Sequence, residues 1–177
     1  MKKLWVSLPN GLMILAEHFK IRERGKVHTH YTIEDFDAKT GRLVNRQEFD
    51  HNCLLNEGIT ALLNLLGGIA ETAFSNANAY IGVGDSSTAA DATQTGLQAA
   101  GANHYHQAMD AGYPTVTNQT ITFRSTFATG NANFAWEEIT VVNAATDAGD
   151  NLNRKTQAMG TKTNAVSRVA SVAITIA

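Results

Sequence analysis

The chain contains one cysteine, Cys53, and this scarcity excludes two kinds of site. A single thiol cannot form an intramolecular disulfide framework or a cysteine-based zinc site. Cys53 stands in the apolar run Cys53-Leu54-Leu55, which favours a buried core residue over a nucleophile. We therefore expect a protein of a reducing compartment that gains no stability from disulfides.

Charged residues are also scarce, at 17% of the chain, where about a quarter is typical. With a net charge of −2, the chain lacks the excess of basic groups that nucleic-acid binding requires, so we expect no nucleic-acid partner. Residues 1–60 carry nine Lys/Arg and eight Asp/Glu, which leaves five and eight for the rest of the chain. So few charges beyond residue 60 predict a surface that is largely hidden in contacts between subunits.

No apolar run reaches the roughly 18 residues that span a bilayer, so we expect no membrane anchor. The start, Met1-Lys2-Lys3-Leu4-Trp5-Val6, is similar to a signal peptide, but Pro9-Asn10-Gly11 interrupts its apolar run and we expect no export by that route. The same turn lies between two short apolar runs. It predicts a hairpin within an N-terminal arm of residues 1–25.

Residues 26–177 predict a mainly β domain, either an antiparallel β-sandwich or a barrel-like fold with one short helix. Alternation from Lys26 to Phe36 puts Thr29 and Tyr31 on one face and His28 and His30 on the other. A weaker strand over 43–49 completes a hairpin at 26–49, since the intervening segment supplies Asp and Gly for a turn.

The main sheet is predicted over 79–177. Strands are expected at 79–84, 120–129, 134–143 and 166–176, with Thr129–Asn133 as the loop of a hairpin between the second and third. The apolar phase changes along 134–143, which predicts a β-bulge near Glu137-Glu138.

A helix is predicted over 56–67. Asn56 suits the N-cap, Glu57 suits the positive end of the helix dipole, and Gly67-Gly68 suits the end. The i, i+3, i+4, i+7 spacing predicts one buried apolar stripe, made of Ile59, Leu62, Leu63 and Leu66. Truncating Leu62 or Leu63 to alanine would then cost roughly 2–5 kcal/mol.

Residues 85–118 show little periodicity and predict a long loop. Its main large apolar residues are Leu97, Tyr105, Met109 and Tyr113, which offset little of an ordering cost of about 1–2 kcal/mol per residue. Neighbouring subunits are therefore expected to supply the remaining contacts. This loop and the arm before Lys26 should be protease-sensitive in isolated protein and protected in an assembly.

Two His-x-His pairs are the only metal-like patterns. His28 and His30 point the same way on a strand, and Glu34 or His51 could add a third ligand. His104 and His106 flank Tyr105 in the predicted loop. A polar strand face and an interface are the favoured interpretations, so we expect no bound metal at either pair.

No catalytic or cofactor-binding site is predicted. The Gly82-Val83-Gly84-Asp85-Ser86-Ser87 segment lacks the third glycine of a dinucleotide fingerprint and the Gly-Lys-Ser/Thr of a phosphate loop, which favours a structural turn. The adjacent carboxylates of Glu137 and Glu138 point to opposite faces if the chain is extended, which makes them poor candidates for a cooperating acid/base pair.

Short motifs nevertheless follow a recognisable order: Asp35-x-x-x-Lys39-Thr40-Gly41, His51-Asn52-x-x-x-Asn56-x-Gly58, Tyr80-Ile81-Gly82-Val83-Gly84 and Ala135-Trp136-Glu137-Glu138. Across residues 30–177 this order resembles a group of tailed-bacteriophage virion proteins, in which an N-x-G helix entry, an I-G-x-G strand and a W-x-E strand recur. The chain departs from that group between Ser86 and Asn118, where Leu97-Gln98-Ala99-Ala100 replaces a charged segment.

The resemblance implies a non-enzymatic structural protein of the virion, assembled in the host cytoplasm. A capsid cement or decoration protein is the leading hypothesis, with further copies of the chain (a trimer is ordinary in such proteins) and the major capsid protein as partners. A tail, neck or collar component is the second. The third is a host-receptor or carbohydrate-binding adhesin that stacks ligands on Tyr105, Tyr113 and Trp136; exposure of Trp136 would favour it, and burial would favour a structural core.

Overall fold

The computed structural model describes residues 4–7, 13–16 and 26–177. Residues 26–177 form two antiparallel five-stranded sheets and one helix, arranged as a β-sandwich, which confirms the predicted fold class. The strands are β1 (Leu4–Ser7), β2 (Met13–Ala16), β3 (Val27–Asp37), β4 (Leu43–Asp50), β5 (Cys53–Leu54), β6 (Tyr80–Gly84), β7 (His104–Ala108), β8 (Thr115–Thr117), β9 (Thr120–Phe127), β10 (Glu138–Val142), β11 (Asn151–Thr156) and β12 (Val166–Ile176). The helix, α1 (Asn56–Leu66), lies between β5 and β6 in the sequence.

The strands divide into three sheets. Sheet I has the order β4-β3-β12-β9-β8, and sheet II has the order β5-β11-β10-β6-β7. The strands β1 and β2 pair antiparallel in a separate two-stranded sheet, with Leu4 opposite Ala16. They are the two arms of the predicted N-terminal hairpin; its Pro9-Asn10-Gly11 turn lies outside the described residues.

Sheet I is built as its alternation predicts. Along β3, Thr29, Tyr31 and Ile33 are buried, and His28 faces solvent. The hairpin of β3 and β4 is confirmed, and β12 has the predicted bounds and pairs with the whole length of β3. Long strands with one apolar face bury that face against a second sheet.

The core lies between the two sheets. Fully buried side chains come from sheet I (Tyr31, Ile33, Phe123, Phe127, Val172) and from sheet II (Ile81, Val83, Ile139, Val141). One buried hydrogen bond also joins the sheets, because the Asn153 Nδ2 donates to the Tyr31 hydroxyl at 2.7 Å. Residues 26–177 therefore have a core of their own, and this hydrogen bond fixes the position of one sheet relative to the other.

The predicted hairpin between 120–129 and 134–143 is wrong. β10 pairs with β6 and β11 in sheet II, whereas β9 lies between β12 and β8 in sheet I. Both edges of β9 are thus occupied, and the chain from 128 to 137 crosses from one sheet to the other. The register shift of β10 falls between Val141 and Val142, not near Glu137-Glu138.

The segment 85–118 is less irregular than its composition predicts. Two strands lie within it: β7 pairs with β6 at the edge of sheet II, and β8 pairs with β9 at the edge of sheet I. His-Tyr-His and Thr-Val-Thr are each too short for periodicity to separate a strand from a loop.

The helix has the predicted position but different ends. Leu55 is the N-cap and makes no side-chain capping bond, so Asn56 is the first helical residue and not the cap. At the other end, Gly68 has φ +67°, its N–H donates to the Leu65 carbonyl, and the Ile69 N–H donates to the Asn64 carbonyl. This pattern is a Schellman ending, in which glycine supplies the left-handed residue.

The predicted burial of the apolar stripe is wrong in the single chain. The exposed fractions are 40% for Ile59, 39% for Leu62, 61% for Leu63 and 85% for Leu66. The inward face instead has two small buried residues, Gly58 and Ala61, and Leu65 is partly buried against the core. A Cβ at Gly58 would overlap the Leu152 Cα, so the helix backbone rests directly on β11 and leaves no room for a large side chain. Leucine truncation on the outer face should therefore cost the isolated chain little.

We predict that Gly58→Ala destabilises the fold by about 1–3 kcal/mol, in spite of alanine's better helix propensity. The new methyl group would meet backbone atoms of β11, including the Asn151 carbonyl oxygen at 2.6 Å, and these cannot rotate away. Urea unfolding measures the change. Gly130→Ala is the control, because nothing lies within 4 Å of a Cβ there; equal stability of the two variants would contradict the close packing.

Candidate functional site

The strongest polar cluster of residues 26–177 is a buried ion pair in sheet II. Glu138, at the start of β10, and Arg154, in β11, are both 0% exposed. The Arg154 Nε donates to Glu138 Oε2 at 2.7 Å, and Nη2 lies 2.6 Å from the same oxygen. A charge that is removed from water in this way requires a partner of opposite sign, and here each supplies the other.

This pair fastens the segment that follows β6. The backbone N–H groups of Gln98 and Ala99 donate to the Glu138 carboxylate at 2.9 and 2.8 Å. Arg154 in turn donates to the Gln94 side-chain oxygen and to the Thr88 carbonyl, each at 2.9 Å. Residues 88–99 therefore have polar anchors within their own chain, which corrects the expectation that neighbouring subunits must supply them.

The same ion pair explains why the strand β6 ends in glycine. A Cβ on Gly84 would overlap the Glu138 Oε1, and Gly84 pairs with Glu138 in the ladder between β6 and β10. The Gly82–Ser87 segment thus makes room for a buried carboxylate, and it forms the end of β6 rather than a phosphate-binding loop. Glu137, the neighbour of Glu138, is half-buried and takes no part in the pair.

A second buried pair joins the two central strands of sheet I. Arg168 in β12 donates through Nε and Nη2 to the two carboxylate oxygens of Asp35, at 2.6 and 2.9 Å. Its guanidinium also lies 4.7 Å from the ring centroid of Trp136. Burial alone would raise the pKa of Asp35, but the hydrogen bonds from Arg168 and Asn45 and the charge of Arg168 hold that pKa below its usual value. The carboxylate of Asp35 and the guanidinium of Arg168 are therefore both engaged in linking β3 to β12.

Lys162 is a buried cation that has no carboxylate partner at hydrogen-bonding distance among residues 26–177. Its Nζ donates to the Ala128 carbonyl at 2.8 Å and to the Asn133 Oδ1 at 3.0 Å, which ties the loop between the sheets. Burial, together with the nearby charge of Arg168, lowers the pKa of Lys162.

The histidines of β3 meet one carboxylate on the solvent face. His28 Nε2 and His30 Nδ1 lie 3.4 and 2.8 Å from the same oxygen, Asp50 Oδ1. The hydrogen bond from His30 lowers the pKa of Asp50. His51 approaches this group only through its ring, whose centroid lies 6.1 Å from the ring centroid of His28. Glu34 pairs with Arg46 instead. Across the described residues, no three His, Cys, Asp or Glu side chains are placed to hold a metal ion.

The second histidine pair lies on β7, not in a loop, and its two rings have different partners. His106 is buried against sheet II and lies 3.2 Å from Asp147 Oδ1. His104 is exposed, and its Nδ1 lies 2.6 Å from the Gly101 carbonyl. The two imidazoles fix separate loops and do not converge on one ligand.

The aromatic groups expected of an adhesin are packed inside the protein. Trp136 is 0% exposed, and its indole N–H donates to the Ala132 carbonyl at 3.0 Å. Tyr105 and Tyr113 are half-buried against the core, and the guanidinium of Arg124 lies 5.5 Å from the Tyr113 ring centroid. By the criterion set from the sequence, burial of Trp136 favours a structural core.

Cys53 is half-buried rather than fully buried, because β5 is the edge strand of sheet II. It lines a shallow open depression together with His51 and Arg154. Burial raises the pKa of the Cys53 thiol, which favours the unreactive protonated form. The donors of Arg154 are already engaged, so the depression offers no free guanidinium to a ligand.

The most unusual surface is the outer side of α1. We define the α1 apolar face as Ile59, Leu62, Leu63, Leu66 and Ile69. These five make up half of the large apolar side chains that residues 26–177 expose. The helix has one charged residue, Glu57, and its carboxylate accepts a bond from the Asn151 N–H at 2.8 Å. Exposed apolar surface of this kind is typical of an interaction site.

No helix within the described part of the chain is long and apolar enough to cross a membrane. Comparison of the chain with protein-family models, with curated proteins and with solved structures found no match. The candidate site therefore rests on its own geometry, which is an exposed apolar helix face on a β-sandwich.

We predict that Arg154→Met lowers the free energy of unfolding by about 3–5 kcal/mol, because it leaves the Glu138 carboxylate buried without a cation. Amide hydrogen exchange at 94–99 should accelerate in the same variant. Arg46→Met is the matched control, since Arg46 pairs with Glu34 and Glu48 at the surface, where solvent screens the pairs, and its loss should cost far less. Equal costs at the two arginines would contradict the anchoring role.

We predict that Asp35 makes stability depend on pH on the acid side. Its pKa is lowered in the folded state, so its contribution is complete above the unfolded value of 3.8 and is lost as pH falls through the folded pKa. The free energy of unfolding of Asp35→Asn should lie below that of the natural chain at neutral pH, and the difference should shrink below about pH 4. Urea titrations at several pH values measure it. A difference that stays constant into the acid range would contradict the pairing.

Proposed function

We propose that the chain is a non-enzymatic structural protein of a tailed-bacteriophage particle, specifically a capsid cement or decoration protein. The observation that carries the proposal is the α1 apolar face, an exposed surface that no other element of residues 26–177 covers. The motif order over residues 30–177, which resembles virion proteins, supplies the kind of particle.

The orientation of α1 is the reverse of that in an ordinary surface helix, which buries its large apolar residues. Here the fully buried residues are Gly58 and Ala61, Leu65 is only partly buried, and Leu63 and Leu66 are 61% and 85% exposed. Fully burying a leucine or isoleucine side chain contributes about 1.5–3 kcal/mol, so covering this face would favour association strongly.

The scaffold under α1 suits a fixed contact. The helix contacts β11, which carries Arg154 and is paired with β10, which carries Glu138. A face held on such a base loses little conformational entropy when a partner covers it. A cement protein needs this property, because it must add stability to a shell without reorganising itself.

The partners in this proposal are further copies of the chain and the major capsid protein, and the place is the virion, assembled in the host cytoplasm. A tail, neck or collar component would use the same face at a lower copy number. The copy number of the protein in purified particles therefore separates these two positions.

We predict that Leu63→Glu abolishes incorporation into particles, because it places a charge on the α1 apolar face. The measurement is the amount of the variant that sediments with particles, followed by the temperature at which those particles lose their genome. Val116→Glu is the matched control: Val116 is 71% exposed on β8, away from the helix. Incorporation of Leu63→Glu at the level of the control, with the fold intact by circular dichroism, would refute the proposed function.

A further inference from the structure

A lysine amine and an asparagine carboxamide meet at the segment that crosses between the two sheets. Lys162 is 0% exposed, and its Nζ lies 3.0 Å from the Asn133 Oδ1. The Asn133 Nδ2 donates in turn to the Thr129 carbonyl at 2.9 Å. The amine therefore lies against a carboxamide that is held at both of its polar ends.

The backbone keeps these two residues side by side. The Lys162 N–H donates to the Phe134 carbonyl at 3.0 Å, and Ala135 pairs with Thr161 in an isolated β-bridge. Two groups that folding holds in contact react as if they were at very high concentration, because their translational and rotational freedom is already lost. The fold thus supplies the proximity that a reaction between the two side chains requires.

We propose that Lys162 and Asn133 join in an intramolecular amide bond, an isopeptide cross-link, once the chain has folded. The inference goes beyond the proposed function and does not rest on it, because it concerns the interior of the sandwich and not the α1 apolar face. It gives a covalent link to a chain whose single cysteine can form no internal disulfide.

The reaction balances without an oxidant or a further reactant. The lone pair of the neutral Nζ attacks the Asn133 Cγ, and the new C–N bond forms as the C=O π bond opens to an oxyanion. One proton passes from Nζ to Nδ2, the carbonyl re-forms, and the Cγ–Nδ2 bond breaks with its electron pair to release ammonia. Asn133 is exposed, so water reaches the departing nitrogen, relays the proton and carries the ammonia away.

The surroundings of Lys162 favour the neutral amine that this attack needs. Within residues 26–177, its Nζ has carbonyl and amide oxygens as partners and no carboxylate at hydrogen-bonding distance. Burial and the charge of Arg168 lower the pKa of Lys162, and they outweigh the opposing charge of Asp35. An ammonium group is costly to bury without a carboxylate, and its conversion to an amide removes that charge from the interior.

A small side-chain movement completes the approach. The Asn133 Cγ lies one C=O bond, about 1.2 Å, beyond the oxygen that Nζ contacts. Attack requires Nζ about 3–3.5 Å from Cγ, over the face of the carbonyl. The last torsion of an asparagine side chain has a broad minimum, and the four-carbon stem of lysine is flexible. The carboxamide can therefore turn its face to the amine while both backbones stay in place.

The bond would close a loop from residue 133 to residue 162 that contains β10 and β11. These two strands carry Glu138 and Arg154, and the loop begins in the segment that connects sheet I to sheet II. A cross-link restricts the unfolded chain, as a disulfide does, and so it favours the folded state.

The intact mass of the purified full-length chain tests the inference. We expect the natural chain to weigh one ammonia less than its sequence mass. Trypsin does not cut after a lysine whose amine is in an amide bond. Digestion should therefore release residues 125–154 and 156–168 as one branched peptide, since the neighbouring cleavage sites at Arg124, Arg154, Lys155 and Arg168 stay open.

Three variants identify the two partners. Asn133→Ala and Lys162→Arg should both have their full sequence mass and release the two segments separately. Asn131→Ala is the matched control, because Asn131 lies in the same loop and its Nδ2 donates to Gln107 instead; it should lose ammonia as the natural chain does. Circular dichroism checks the fold, and Asn133→Ala changes an exposed residue, so the test does not depend on the folding of the Lys162 variant.

Two results would overturn the inference. One is a folded natural chain at its full sequence mass. The other is a loss of ammonia that persists in folded Lys162→Arg or in Asn133→Ala, since this would indicate cyclisation of an asparagine onto its own backbone. Neither result bears on the incorporation of Leu63→Glu into particles, which tests the proposed function separately.

Discussion

The ion pair between Arg154 and Glu138 is the constraint on which most of sheet II and its loops depend. Two charges at 0% exposure are tolerated because each neutralises the other. Backbone groups of the 88–99 segment also occupy the remaining hydrogen-bonding positions of the two side chains. The same pair requires glycine at position 84, since a side chain there would occupy the place of the carboxylate. One buried contact thus fixes a strand, its neighbour and the course of a long connection.

The position of α1 follows from the rigidity of that sheet. With β11 fixed by its pairing to β10, the helix approaches most closely at Gly58, where it has no side chain. Close approach there leaves Ile59, Leu62, Leu63 and Leu66 on the outer side. The helix is therefore placed by what fits beneath it rather than by the burial of its most apolar residues. The proposed cement role requires such a surface, which is costly to expose.

Much of the fold is predictable from the sequence where local and tertiary preferences agree. The β3–β4 hairpin, β9 and β12 follow from alternation, and the end of α1 follows from Gly67-Gly68. The sequence-based predictions fail where a contact between residues that are distant in the sequence determines the structure. Nothing near Glu138 shows that its carboxylate will meet an arginine 16 residues later, and periodicity in α1 identifies an apolar face without saying which way it turns. The pairing of β10 with β6 is likewise set by a distant contact, because β9 is the nearer strand in the sequence and a local signal favours it as the partner.

The central pair of sheet I has a consequence for biosynthesis. β3 is the first strand of the sandwich in the sequence and β12 is the last, yet they pair along their whole length, and β9 needs β12 as well. During translation β3 and β9 leave the ribosome long before the strand that joins them. Until β12 emerges, each of them lacks a pairing partner along one edge, and their apolar faces stay exposed. Such non-local topology folds slowly and exposes the nascent chain to aggregation. The sandwich can close only after β12 has emerged, so this eleven-residue strand is the one that completes sheet I.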